Sequence, residues 1–208
     1  MVKTDLFKYH FIPATEPSDK LMIVLHGKGD TLNPFKNFPE ELKVKNINYL
    51  LLNAPKRFLR GYSWYGDPPY IKHGVQRSRK LLLKLIEELE LQGWNTKNIV
   101  ILGFSQGCLM GTDLILNSQK RFAGMIGVSG YFYFFPRWKK MKEHVLETPC
   151  LFTHGKNDDV LPLEVTKYGV SKLQSAGFKV DWVEFDKKHV FTDDDNKEIK
   201  NWLQEKLF

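Results

Sequence analysis

Six short apolar runs, each about the length of one buried strand, alternate with helix-length stretches along most of the chain. This alternation limits the fold more than any other property of the sequence. The runs lie at Leu21 to Leu25, Ile47 to Leu52, Ile99 to Leu102, Met125 to Val128, Cys150 to Phe152 and Val180 to Phe185. The clearest helix is expected from Val75 to Leu91, where Leu81, Leu82, Leu85, Ile86 and Leu89 recur at three and four spacing until Gly93 stops it. Others are expected at Gly107 to Leu116, Glu164 to Ala176 and Asp193 to Leu207. Thr192 with Asp195 three residues later has the form of a capping box, and the aspartates that open the last helix suit its positive end. Such an order predicts an α/β fold: a mostly parallel central sheet with helices on both faces. Leu6 to Ile12 is expected to add an antiparallel edge strand. The sequence has no internal repeat, low-complexity tract or linker, so one domain is expected over residues 1–208.

Composition narrows the function classes. The 208 residues are 42% hydrophobic and 26% charged, which excludes a disordered or collagen-like chain. No apolar stretch reaches the roughly 18 residues of a membrane span, and Met1-Val2-Lys3-Thr4-Asp5 has no apolar signal core, so a mature cytoplasmic chain is expected. Cys108 and Cys150 are too few for a disulfide framework and sit in apolar runs, as buried thiols do. The net charge of +7 would suit an anionic partner, but the basic residues are scattered and match no nucleic-acid motif. No nucleic-acid partner is expected. Aromatic residues concentrate in Tyr131 to Trp138, a segment that reads as a packed crossover or dimer contact, against a cap facing a membrane or substrate.

The residues that carry most chemistry are Gly103-Phe104-Ser105-Gln106-Gly107. They match G-x-S-x-G where a strand must turn into a helix, the setting of a nucleophile elbow. A serine in that strained turn needs neighbours without bulk, and glycines at minus two and plus two supply them. Its hydroxyl then lies at a helix N-terminus, where free N–H groups favour negative charge.

An elbow implies the chain order nucleophile, acid, histidine. Of the six histidines only His144, His154 and His189 follow Ser105. His154 falls at the end of a strand, where the acid loop should begin, which leaves His189, between the last strand and the last helix, as the base. Asp158 and Asp159 are the carboxylates just past a strand's carboxyl end in this interval, the edge at which open α/β sheets form their sites. Either could orient the imidazole. After the first buried strand comes His26-Gly27-Lys28-Gly29-Asp30-Thr31, whose glycines allow close backbone approach to an acyl group. An oxyanion hole is therefore expected from the backbone N–H groups of Lys28 and Gln106, with their side chains mattering little. His26 precedes the nucleophile and takes a structural role.

With these residues in place, the chain resembles the carboxylesterase, lysophospholipase and acyl-protein thioesterase family of small α/β-hydrolases. The resemblance runs from about Leu21 to the last helix and rests on L-H-G-K-G-D-T (25–31), N-A-P (53–55), S-W-Y-G-D (63–67), G-F-S-Q-G (103–107), H-G-K-N-D-D-V-L-P (154–162) and His189. It implies that Asp158, three residues after the glycine of H-G, is the acid. It implies that Trp64 and Tyr65 belong to a loop over the active site, and that Val160 and Leu161 border an acyl channel. The chain departs from the family pattern at Lys187-Lys188, where a glycine often precedes the histidine, and it is short for the family.

The reading is a serine hydrolase cleaving acyl esters or thioesters of a small-molecule substrate, with no cofactor and no metal. It would act as a monomer or homodimer, with a weak membrane-surface or acylated-protein contact as a further partner. The rival is a non-catalytic lipid- or protein-binding module on the same scaffold.

Overall fold

The computed structural model describes residues 2–132 and 143–207, and in it every one of the six apolar runs becomes a strand of one seven-stranded sheet. In chain order the strands are β1 (Tyr9–Ile12), β2 (Leu21–Leu25), β3 (Asn48–Leu52), β4 (Lys56–Phe58), β5 (Gly61–Ser63), β6 (Ile99–Phe104), β7 (Gly124–Val128), β8 (Cys150–Gly155) and β9 (Val180–Phe185). The helices are α1 (Phe38–Leu42), α2 (Ile71–Leu91), α3 (Gln106–Ser118), α4 (Glu143–Leu146), α5 (Leu163–Ser175) and α6 (Asp193–Leu207). The main sheet runs β1-β3-β2-β6-β7-β8-β9, while β4 and β5 pair as a separate hairpin. Among the described strands of the main sheet only β1 is antiparallel, with Tyr9 opposite Leu52; β2 lies parallel between β3 and β6, with Ile23 opposite Leu50 and Ile101.

Strand periodicity divides the core into two layers. Along β2 every side chain is buried, but Leu21, Ile23 and Leu25 pack with Val75, Leu82, Leu85, Ile86 and Leu89 of α2, whereas Met22 and Val24 pack with Phe38 and Leu42 of α1 and Ile199, Trp202 and Leu203 of α6. Alternate residues of a strand face opposite sides, so a continuous apolar run demands a cover on both. Full burial of each such side chain contributes about 1.5–3 kcal/mol. The helix expected to start at Val75 begins a turn earlier, at Ile71, and the edge strand is shortened to Tyr9–Ile12. The last helix has the expected bounds and its cap is reciprocal: the Thr192 N–H donates to Asp195 Oδ2 at 2.8 Å, and the Asp195 N–H to Thr192 Oγ1 at 3.4 Å.

Both cysteines are buried free thiols, and burial pushes the Cys108 thiol up to about 12 and that of Cys150 higher still. Of the aromatic segment, Tyr131 and Phe132 are described, with Phe132 packed edge-on against Phe152; residues 133–138 lie outside the described residues. Among the described residues no helix is long and apolar enough to cross a membrane.

Candidate active site

Because β2, β6, β7, β8 and β9 are mutually parallel, the loops that follow β2, β6, β8 and β9 emerge along one edge of the sheet. Those loops carry Lys28, Ser105, Asp158 and His189 respectively. Ser105 follows the central strand β6 directly and sits at φ 53°, ψ −114°, a left-handed backbone that costs a serine of order 1–3 kcal/mol. Its N–H donates to Val128 O at 3.0 Å, and its C=O accepts from Cys108 N at 3.1 Å, so the turn is fixed from both sides. The flanking glycines are required by contact as well: a Cβ on Gly103 would stand 2.3 Å from the Gly107 carbonyl carbon, and one on Gly107 would stand 2.0 Å from Leu25 O.

The Ser105 hydroxyl, half-buried, lies 3.0 Å from His189 Nε2, and His189 Nδ1 lies 2.8 Å from Asp158 Oδ2. With an ionised carboxylate as acceptor, Nδ1 carries the proton and donates to Asp158, leaving Nε2 to accept from the serine. Phe104 flanks the imidazole at a ring separation of 5.2 Å. The Asp158 side chain is fully buried, and its Oδ1 accepts from Val160 N at 3.0 Å and Leu161 N at 2.8 Å. Burial by itself would raise this carboxyl. The Leu161 N–H, His189 and the Val160 N–H outweigh it and hold the group below its ordinary value. Asp159 is exposed, with its carboxylate 3.8 Å from Lys188 and away from the imidazole.

His154 donates from Nε2 to Leu161 O at 2.8 Å and stands 3.2 Å from Asp158 Oδ2, so two histidines face one carboxylate oxygen. His26 is held neutral: Nδ1 donates to Gly27 O at 2.6 Å while Nε2 accepts the Ala54 N–H at 3.0 Å, and burial lowers its affinity for a proton.

The loop after β2 is clamped by the small hairpin. Gly29 N donates to Tyr62 O at 2.8 Å, and Tyr62 N donates to Asp30 O at 2.9 Å. Neither the Lys28 nor the Gln106 backbone N–H meets an acceptor among the described residues, and Gln106 N is the first of α3. Helix N-termini leave such donors free. The two side chains differ in role. Gln106, through Oε1, accepts from Trp64 N at 3.0 Å and Ser63 Oγ at 3.1 Å, and through Nε2 donates to Tyr65 O at 3.0 Å, so it anchors the 63–65 segment beneath the elbow. Lys28 turns outward to Asp67 at 2.5 Å.

Trp64 and Tyr65 follow β5, on the segment that the Gln106 side chain anchors. Both are sealed in the core: the Trp64 indole N–H donates to His26 O at 2.9 Å, its ring packs on Phe7, and the Tyr65 hydroxyl pairs with that of Tyr131 at 2.7 Å. A buried indole N–H needs an acceptor, and His26 O supplies it. Val160 is 62% exposed and Leu161 partly so, on the loop that also holds Asp158.

Sequence reasoning missed the support under His189. Lys187, two residues earlier, is buried, and its ammonium bonds Asp195 Oδ1 at 2.7 Å, Asp195 Oδ2 at 2.6 Å and Val190 O at 3.1 Å. Asp195 also accepts from Thr153 Oγ1 at 2.6 Å. Asp195 was already marked by the capping box; nothing in Lys187-Lys188 tells which lysine turns inward.

A central strand feeding a strained serine, with histidine and aspartate presented from later loops at one sheet edge, defines an α/β-hydrolase. Comparison with known proteins narrows this class. Residues 9–207 match the phospholipase/carboxylesterase family model, and the chain belongs to that family. It is 26% identical to acyl-protein thioesterase 1 of Yarrowia lipolytica, covering 94% of this chain and 96% of that one. A protein of Oryza sativa subsp. japonica named a probable inactive carboxylesterase is 24% identical, covering 84% of this chain and 80% of its own. The crystal structure of Arabidopsis thaliana SOBER1 shares the fold at a TM-score of 0.84 and 22% identity, covering 92% of this chain and all of that one.

Proposed function

We propose that this protein is a serine hydrolase that cleaves carboxylic ester or thioester bonds of acyl substrates through an acyl-enzyme intermediate. The observation that carries the reading is the unbroken relay from Ser105 Oγ through His189 to Asp158, at 3.0 and 2.8 Å, with the serine held in a left-handed turn. In this reading His189 takes the Ser105 proton as Oγ bonds to the acyl carbon, and then delivers that proton to the departing alcohol or thiol. Asp158 fixes the ring tautomer and stabilises the imidazolium. The negative charge on the acyl oxygen meets the free N–H groups of Lys28 and Gln106; one such donor is worth about 2.7–4 kcal/mol in comparable holes. Water, activated by the same histidine, releases the acid in the second half of the cycle.

Relatives that include an acyl-protein thioesterase support the acyl-transfer chemistry, and a relative named as inactive makes a direct test necessary. A fluorophosphonate probe should label the protein stoichiometrically, and Ser105→Ala should abolish labelling while leaving the circular dichroism spectrum unchanged. An unlabelled, folded wild-type protein would instead favour a non-catalytic binding module.

A further inference from the structure

A cavity of about 480 Å³ opens directly beside His189, between the loop after β2, helix α1 and the start of α6. Its size lies within the range of about 300–1,000 Å³ that accommodates small-molecule groups. Four phenylalanines line it. Phe191 stands edge-on to Phe35 at 6.0 Å and to Phe38 at 5.7 Å, and packs near Phe104 at 6.2 Å. Phe104 in turn lies against the His189 ring, so the aromatic wall is continuous with the base.

The charged groups around this cavity are of one sign. Asp30, Glu41 and Asp193 line it, and no lysine or arginine does so among the described residues. This runs against the chain as a whole, which carries +7. Three cations of the neighbouring loops are committed elsewhere: Lys28 to Asp67 at 2.5 Å and over the Phe58 ring, Lys187 to Asp195, and Lys188 toward Asp159. The carboxylates therefore set the local potential.

Resting on the hydrolase reading above, we infer that this cavity receives the leaving group of the substrate and selects aromatic or branched apolar groups that are neutral or cationic over anionic ones. The leaving atom must lie within reach of His189 Nε2 to take its proton, and His189 is itself a wall of the cavity. An apolar body gains by burial among the phenylalanine rings. A quaternary ammonium gains further, from the ring faces and from the carboxylates. A sulfonate or phosphate there meets three like charges in the lining.

The test uses three butanoate esters of meta-substituted phenols. Their substituents are trimethylammonium, the isosteric tert-butyl group, and sulfonate. Each kcat/KM is divided by the hydroxide-catalysed rate of the same ester, which removes intrinsic leaving-group reactivity. At low salt the cationic ester should exceed the anionic one by about tenfold or more, with the tert-butyl ester between them. In 0.5 M salt, and in Glu41→Gln/Asp193→Asn, that ratio should shrink at least threefold. Phe191→Leu should lower all three leaving groups relative to methyl butanoate. Hydrolysis of all three at equal corrected rates, or a ratio unmoved by the double substitution, overturns the assignment of the cavity while leaving the hydrolase reading intact. No hydrolysis of any ester overturns both.

Discussion

Replacing Lys187 by methionine removes the ammonium from a pocket where both partners are almost sealed from water, the lysine side chain 5% exposed and that of Asp195 fully buried. Asp195 keeps Thr153 Oγ1, Thr192 N and Thr192 Oγ1 as donors, but its charge loses its counterion. Breaking a buried pair from one side costs about 3–5 kcal/mol, because the remaining charge is left uncompensated. At about 2.1 cal/mol/K per residue of unfolding entropy, that corresponds to a fall in Tm of about 7–11 °C for a chain of 208 residues. The double variant Lys187→Met/Asp195→Asn should recover about half of the loss, since no buried charge remains. A kinetic consequence should accompany the thermal one. Lys187 also holds Val190 O, next to His189, so kcat for a short aryl ester should fall about 10- to 100-fold in the folded variant. Calorimetry and steady-state kinetics at pH 7.5 measure both. A Lys187→Met variant melting within 2 °C of wild type, with unchanged kcat, would refute the claim that this pair holds the histidine loop.

Asp158→Asn should lower turnover by about three or more orders of magnitude, while Asp159→Asn should stay within threefold of wild type; comparing their kcat values on one ester decides which carboxylate serves His189. Gln106→Ala should strip a buried acceptor from Trp64 N and destabilise the protein by about 1–3 kcal/mol, measured by urea denaturation, whereas Lys28→Ala should change stability by less than about 0.5 kcal/mol. His26 and His154 are both held below their ordinary proton affinity, chiefly by burial. The unfolded chain therefore binds more protons than the folded one below about pH 6.5, so stability should fall as pH drops through that value, by up to about 1.4 kcal/mol per unit for each histidine. Asp158 is lowered as well and acts in the same sense at lower pH: its stabilising contribution is present above about pH 4 and lost as pH falls through its lowered value. Urea midpoints from pH 7.5 to 5 should decline in wild type and decline less steeply in His154→Gln, where His26 alone remains; an unchanged slope would show that His154 titrates normally.

Much of the fold and the order of the site were legible in the sequence because they depend on local signals. Continuous apolar runs require strands covered on both faces, and Gly103 and Gly107 around Ser105 imply the close approaches that the structure displays. The reciprocal cap of Thr192 and Asp195 is set by three-residue spacing alone. The hairpin of β4 and β5 was not legible: its three-residue strands are too short to carry a period, and Leu59-Arg60 is no turn dipeptide, yet it clamps the loop bearing Lys28. Nor could spacing tell that Lys187 turns inward while Lys188 turns out, that the Gln106 side chain is tied to three backbone or hydroxyl groups, or that Trp64 and Tyr65 are sealed in the core. These outcomes depend on which polar partners and how much apolar surface distant segments bring to the same place. One sequence specifies them only through its completed packing, whereas strands, caps and the elbow answer to neighbours a few residues away.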